Sequence, residues 1–494
     1  MKGKVLMVQG TSSDAGKSFL VAALLRWCRR RGLAVAPFKA QNMARNAAVT
    51  AEGKEIGRAQ ADQAEAAGVA PHVDMNPILL KPEGGFTSQV VVLGRSMGAM
   101  SWRDYGAMKA SLRSVVLDAL ERLRLRHELV IVEGAGSPAE INLRDGDLVN
   151  MFIARSVQAP VWLVADIDRG GAFASLFGTW SLLPAEEQAL IRRFVLNRVR
   201  GDVRLLESGC HELERRTGVP VLGAIPYLAD FGGPAEDSLA LADRRHRPRA
   251  PFGQVEVTVV DLPHISNYDE FRHLEQWVTV RYSTSPRDGA GSDLVIVPGS
   301  KCTVDDLRWV ERTGWGQALA LRCERDQPVL GICGGCQILG RRITEDGVVH
   351  QGLGLLPVST QFSEDKRTTQ VRARIVAPWA LRADASPVDG YEIHRGRLER
   401  EGNVAPFAKL DTPEGLRLDG AGNGPVAGTM VHGLFEHSAL ARALLAWAAP
   451  AGALLGELVP LPDPHERAAD ALDGLHLEEV FERELGIDVS RSSR

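Results

Sequence analysis

Cysteine is scarce here: six residues scattered through 494 do not make a disulfide framework, and this points to a reducing compartment. Long hydrophobic runs are missing too, since no apolar stretch approaches the ~20 residues that cross a bilayer. The first residues, Met1-Lys2-Gly3-Lys4-Val5-Leu6-Met7-Val8, lead straight into a strand pattern with no cleavable signal, so the expected location is cytoplasmic. Nor does one charge dominate. The 58 Lys+Arg against 62 Asp+Glu give no bulk electrostatic case for nucleic acid or for a membrane surface, which leaves small molecules as the expected partners. At 494 residues a single core is excluded, and at least two domains are expected.

The most informative stretch is Val329-Leu330-Gly331-Ile332-Cys333-Gly334-Gly335-Cys336-Gln337-Ile338-Leu339-Gly340. An apolar run, a cysteine between small residues and then a helical pattern describe a strand, a sharp turn and a helix with a thiol at the apex. That is a nucleophile elbow. The glycines allow the turn and the close approach of a carbonyl, and the helix N-terminus favours thiolate over thiol. Cys333 and Cys336 also form a C-x-x-C, but no second such pair or matching Cys/His pair completes a zinc site. A buried core cysteine is the other alternative.

Near the amino terminus a strand at Lys4 to Gln9 and a helix at Lys17 to Arg31 flank Gly10-Thr11-Ser12-Ser13-Asp14-Ala15-Gly16-Lys17-Ser18. This is a phosphate-binding loop one residue longer than the standard form. Its backbone N–H groups, with Gly10 and Gly16 permitting the turn, cradle phosphate oxygens. Lys17 neutralises the outer phosphates and the Ser18 hydroxyl is placed to ligate Mg²⁺, so ATP with Mg²⁺ is the expected cofactor pair. A buried strand at Leu129 to Val132 ends in Glu133, where a second Mg²⁺ ligand belongs. On a helix spanning Ile56 to Gly68, Arg58, Gln60 and Glu65 share a polar face, either solvated or in contact with substrate or metal. Asn76 to Pro82 is proline-rich and reads as a loop.

Alternating strands and helices continue through Val161 to Ala165, Arg193 to Asn197 and Val221 to Ile225, then resume at Val255 to Val260 and Leu294 to Val297. The expected fold class is therefore α/β, with two domains that each carry a mostly parallel sheet flanked by helices. The expected boundaries are 1–242, a charged linker at 243–253, a second domain at 254–450 and a helical tail at 451–494 that carries no chemical motif. After Leu294 to Val297 comes Pro298-Gly299-Ser300, which presents the Gly299 N–H beside the amide of Gly334. Two such donors hold a tetrahedral oxyanion. Val426 to His432 reads as a strand that ends in a histidine able to take the thiol proton and return it to a leaving group; His394 and His437 are its rivals.

Several motifs carry a resemblance. Gly331 to Gln337 and Gly428-Thr429-Met430-Val431-His432-Gly433 resemble the nucleophile and histidine motifs of class I glutamine amidotransferases, which implies a flavodoxin-like second domain with Cys333 and His432 as its catalytic pair. The longer phosphate loop, with Lys39 at the end of a second strand, resembles dethiobiotin synthetase and its relatives. There this lysine binds phosphate and the developing acyl phosphate, although taken alone Lys39 is equally a solvated surface lysine. Asn197 sits where related folds read the adenine ring, unless it simply caps the next helix. Glu133-Gly134-Ala135-Gly136-Ser137-Pro138-Ala139-Glu140-Ile141-Asn142-Leu143 resembles the signature of the cobyric acid synthase family, and Asp147 to Met151 and Val164 to Gly171 agree with it.

That resemblance implies a glutamine-hydrolysing carbon–nitrogen ligase of cobalamin biosynthesis. Its partners are L-glutamine and adenosylcobyrinic acid a,c-diamide, whose b, d, e and g carboxylates become amides through an acyl phosphate. Cobyrinic acid a,c-diamide synthase is the rival among enzymes. A switch ATPase of the partitioning type with a non-catalytic amidotransferase module is the rival from another class. Class I glutaminases orient their histidine with a glutamate two residues later, a position held here by Leu434. The cobyric acid synthase branch shares this lack, and what orients His432 stays open in the sequence.

Overall fold

Burial in the strands Lys4–Gly10, Leu129–Glu133 and Val161–Asp166 is almost continuous. That is the pattern of strands covered on both faces, where an alternating side-chain code would fail. The computed structural model describes residues 2–84, 87–228, 254–275, 277–376, 387–412, 415–449 and 463–489. The expected linker at 243–253 lies outside them. Contacts divide the chain into two units, one comprising the described parts of Met1–Ala44, Glu55–Gly233 and Pro462–Arg494, the other those of Arg45–Lys54 and Pro234–Leu461.

In the first unit six parallel strands lie in the spatial order Val221–Pro226, Ile191–Val199, Val161–Asp166, Lys4–Gly10, Leu129–Glu133, Val35–Phe38. Helix Lys17–Arg30 buries Leu20, Val21, Leu24, Leu25 and Trp27, and these join Leu6, Val8, Ile131 and Trp162 in one core. The C-terminal helices Pro464–Asp470 and Leu477–Leu485 belong to this unit and are not a free-standing tail. Phe481 packs on Trp27 at 5.2 Å and on Trp162 at 6.1 Å between ring centroids. Glu466 bonds Arg26 at 2.8 Å and Glu484 bonds Arg193 at 2.6 Å.

One expected loop is a strand. Ile78–Gly84 pairs with Thr87–Val92, which pairs in turn with Arg95–Ser101, beside Gln41–Met43. Gln41–Met43 covers only Ile78, Leu79 and Leu80, so by Pro82 that side of the strand has no ladder partner to be denied an N–H. Helix Trp102–Arg126 starts where Ser101 accepts a hydrogen bond from the Asp104 N–H and caps it.

The second unit holds a six-stranded sheet ordered Thr279–Ser283, Glu256–Val260, Leu294–Val297, Val329–Ile332, Val426–Thr429, Ala421–Asn423. All neighbours are parallel except the last pair. A second, largely antiparallel sheet is built around the long strands Val358–Ile375 and Val388–Arg400 and ends on Val431–His432.

Candidate functional site

In the first unit the strand Lys4–Gly10 ends at the loop, and helix Lys17–Arg30 begins from Gly16 in the left-handed region at φ 97°. A Cβ on Gly16 would collide with the Asn197 amide, so only glycine fits. Lys17 Nζ donates to the carbonyls of Ser12 (2.8 Å) and Gly136 (3.2 Å), tying the loop to the segment after Glu133. Asn197 donates to the Ala15 carbonyl at 3.1 Å and braces the loop from below; no helix cap by its side chain is seen.

Glu133 is wholly buried and is the hub of this site. Its Oε1 accepts from Ser18 Oγ at 2.8 Å and from Lys39 Nζ at 2.8 Å, and its Oε2 accepts from Gln63 at 2.5 Å. The structure thus gathers Lys17, Ser18, Lys39 and Glu133, with Gly10 and Gly16 in the loop. Gln63 joins them without any motif in the sequence to announce it. On its helix, Arg58–Ala67, Gln60 accepts from Asn42 at 2.9 Å, and the Glu65 carboxylate lies beside Asp62 and His465. The hydroxyl and carboxylate of Ser18 and Glu133 are hard oxygen donors in contact, the donor type that suits Mg²⁺.

In the second unit the strand Val329–Ile332 delivers Cys333 at φ 51°, ψ −109°, and helix Gly334–Leu339 follows at once. A β-carbon on such a backbone costs on the order of 1–3 kcal/mol, held here by the Cys333 N–H bond to the Thr429 carbonyl at 2.7 Å. A Cβ on Gly334 would lie 2.6 Å from the Ser300 amide nitrogen, and one on Gly335 would overlap the Val297 carbonyl. The strand Gly299–Ser300 therefore presses directly on the turn, and from Gly299 a Cβ would reach within 3.4 Å of His432 Cε1.

His432 is fully buried and lies close enough to the Cys333 side chain to interact with it electrostatically. Its Nδ1 faces Glu270 Oε1 at 2.9 Å, and Glu270 Oε2 accepts the Gly433 N–H at 3.1 Å. The ring stacks on Tyr391, with 5.4 Å between centroids. Burial alone would lower the imidazole pKa; the Glu270 charge and the interaction with Cys333 outweigh it and hold His432 up at about 10. Asp419 pins the strand end before it, accepting from Thr429 Oγ1 at 2.5 Å and from the Met430 N–H at 3.2 Å.

Glu270 answers what Leu434 left open. It lies 162 residues before His432, on the short turn Tyr268–Phe271. The rival histidines are engaged by backbone carbonyls: His394 bonds that of Gly396 at 3.0 Å, and His437 that of Asp389 at 2.7 Å. None of the six cysteines is in a disulfide, and Cys336 sits in the core with its thiol pushed far up by burial, which removes the C-x-x-C alternative. Among the described residues no helix is long and apolar enough to cross a membrane.

Comparison with known proteins gives matches to both units. Residues 6–239 match the CobQ/CobB/MinD/ParA nucleotide binding domain, and residues 256–440 the CobB/CobQ-like glutamine amidotransferase domain. The cobyric acid synthase of Sorangium cellulosum is 47% identical over 99% of this chain and 100% of its own length. That of Desulforudis audaxviator is 52% identical over 88% of each chain, and that of Frankia casuarinae 48% identical over 95% of this chain and 94% of its own. Neither the a,c-diamide synthase nor the switch-ATPase alternative is favoured by these matches. The first unit is a nucleotide-binding domain, the second a glutamine amidotransferase domain, and the chain belongs to the cobyric acid synthase family, the amidating ligases of cobalamin biosynthesis that draw nitrogen from glutamine.

Proposed function

We propose that this chain amidates the b, d, e and g carboxylates of adenosylcobyrinic acid a,c-diamide with ATP, Mg²⁺ and L-glutamine, giving adenosylcobyric acid. The observation that carries the reading is a cysteine on a strained elbow, electrostatically coupled to a buried histidine that a carboxylate holds from behind. As the thiolate, Cys333 attacks the side-chain carbonyl of glutamine while the N–H groups of Gly299 and Gly334 receive the oxyanion. His432, as imidazolium, protonates the departing ammonia. The thioester left on Cys333 is then hydrolysed, with His432 taking the proton of the attacking water.

A carboxylate is a poor acyl donor, so it must first be activated. In the first unit the substrate carboxylate takes the terminal phosphoryl group of ATP, and ammonia then attacks the acyl carbon and expels phosphate. Gly10, Gly16 and Lys17 would bind the phosphates, Lys39 the transferring group, and Asn197 would reach the adenine from beside the loop. Ser18 and Glu133 would hold Mg²⁺, which when bound neutralises phosphate charge. Incubation with ATP, glutamine and the corrin diamide, followed by mass measurement, tests the reading. The expected product is a series of successive carboxyl-to-amide exchanges at these positions; an unchanged corrin would overturn it.

A further inference from the structure

Residues 45–54 interrupt the first unit in sequence yet pack within the second. They form a buried strand, Ala47–Val49, and a turn closed by the Gly53 N–H on the Thr50 carbonyl at 3.0 Å. Arg45 donates to the Pro263 carbonyl at 3.2 Å, and Gln370 donates to the Val49 carbonyl at 3.0 Å. Between these anchors the Ala47 N–H donates to Asn267 Oδ1 at 3.2 Å. The other end of the Asn267 side chain, Nδ2, lies 3.2 Å from His432 Nε2.

Hydrogen-bonding roles fix this arrangement. A backbone N–H only donates, so the oxygen of the Asn267 amide must face Ala47 and its NH₂ must face the imidazole. Glu270 accepts at Nδ1, so when the ring is neutral Nε2 carries the lone pair, and the Asn267 donor faces it. Nε2 is the nitrogen that must take the Cys333 proton. With Asn267 in place two N–H groups would face each other once it did. The Glu270 charge favours the imidazolium, and the Asn267 donor works against it.

We propose that the segment 45–54 gates glutamine hydrolysis: through Ala47 it holds the Asn267 amide against His432 Nε2, and its displacement frees that nitrogen for the Cys333 proton. Both ends of the segment are covalently continuous with the nucleotide-binding unit, through Ala44 and Glu55. Asn267 is here a positioning residue, and the inference rests on His432 acting as the base for Cys333.

The test measures glutamine hydrolysis by the full chain with and without ATP, Mg²⁺ and the corrin diamide. Asn267 has φ 52°, a conformation glycine also adopts, so Asn267→Gly removes the amide without new backbone strain. The variant is expected to hydrolyse glutamine several-fold faster than wild type when unstimulated, with its stimulation ratio falling toward unity. A wild-type ratio, or a lower unstimulated rate, overturns the gate. In the unaltered protein, alkylation of Cys333 by iodoacetamide should accelerate when ATP, Mg²⁺ and the corrin diamide are added; equal rates overturn it as well. Cys333→Ala separates the two levels. Persistent glutaminase in that variant defeats the underlying assignment, whereas its loss beside an unchanged ratio in Asn267→Gly defeats the gate alone.

Discussion

Serine in place of Cys333 keeps a side-chain nucleophile on the elbow but not a thiolate. Cys333→Ser is expected to lose glutamine-dependent amidation by several orders of magnitude, while amidation supplied with ammonium salts survives. Full glutamine use in this variant would show the nucleophile to be elsewhere. Glu270 gives a second prediction. Glu270→Gln keeps a hydrogen-bond acceptor near His432 and removes the charge, so the imidazole falls from about 10 and burial then favours its neutral form. Alkylation of Cys333 near neutral pH should slow by about tenfold or more, since each pKa unit is a factor of ten. The sign for stability follows from the raised pKa: the contribution is fully present below 6.5, the ordinary value, and is lost as pH rises through about 10. Urea unfolding of wild type and Glu270→Gln should therefore differ most at the acid end of that window. Cys333 and His432 were legible because each sits in a contiguous motif that names its own chemistry. Glu270 was not, because its bond to His432 spans 162 residues and only the folded sheet brings the two together. Gln63 escaped for a subtler reason: helical spacing grouped Arg58, Gln60 and Glu65, but tertiary packing turns the helix so that Gln63 meets Glu133.

At the scale of elements, strands with continuous burial were readable from their apolar runs, and the α/β order of both units follows from them. The strand at Ile78–Gly84 was not, since proline signals a break wherever both edges are paired, and pairing is not written in the local sequence. The C-terminal helices present the same difficulty. Their amphipathic pattern was visible, but nothing in it says that their apolar face belongs over Trp27 and Trp162, more than 300 residues upstream in sequence. Phe481 is the centre of that contact and is fully buried. Phe481→Ala should destabilise the first unit by about 3–5 kcal/mol, the usual loss for a large core aromatic, read as an earlier urea transition with altered tryptophan fluorescence. A surface-like change of a few tenths would show that the helices are not an integral part of that core.

At the scale of the molecule, the two chemistries should separate by mutation. Lys17→Ala removes the charge proposed to face the phosphates and is expected to abolish amidation with either nitrogen source while glutamine hydrolysis remains detectable. Normal amidation in this variant would remove the phosphate loop from the reaction. Near-balanced charge, 58 basic against 62 acidic residues, fits a chain whose ligands meet local clusters of charge and not a bulk field.

The placing of residues 463–489 within the first unit has a consequence for biosynthesis. A ribosome must finish the entire amidotransferase half before the pieces that seal the nucleotide-binding half emerge. Until then the nascent chain carries Trp27 and Trp162 without their Phe481 cover, so a message truncated between the two is expected to yield a nucleotide-binding fragment with an unsealed core.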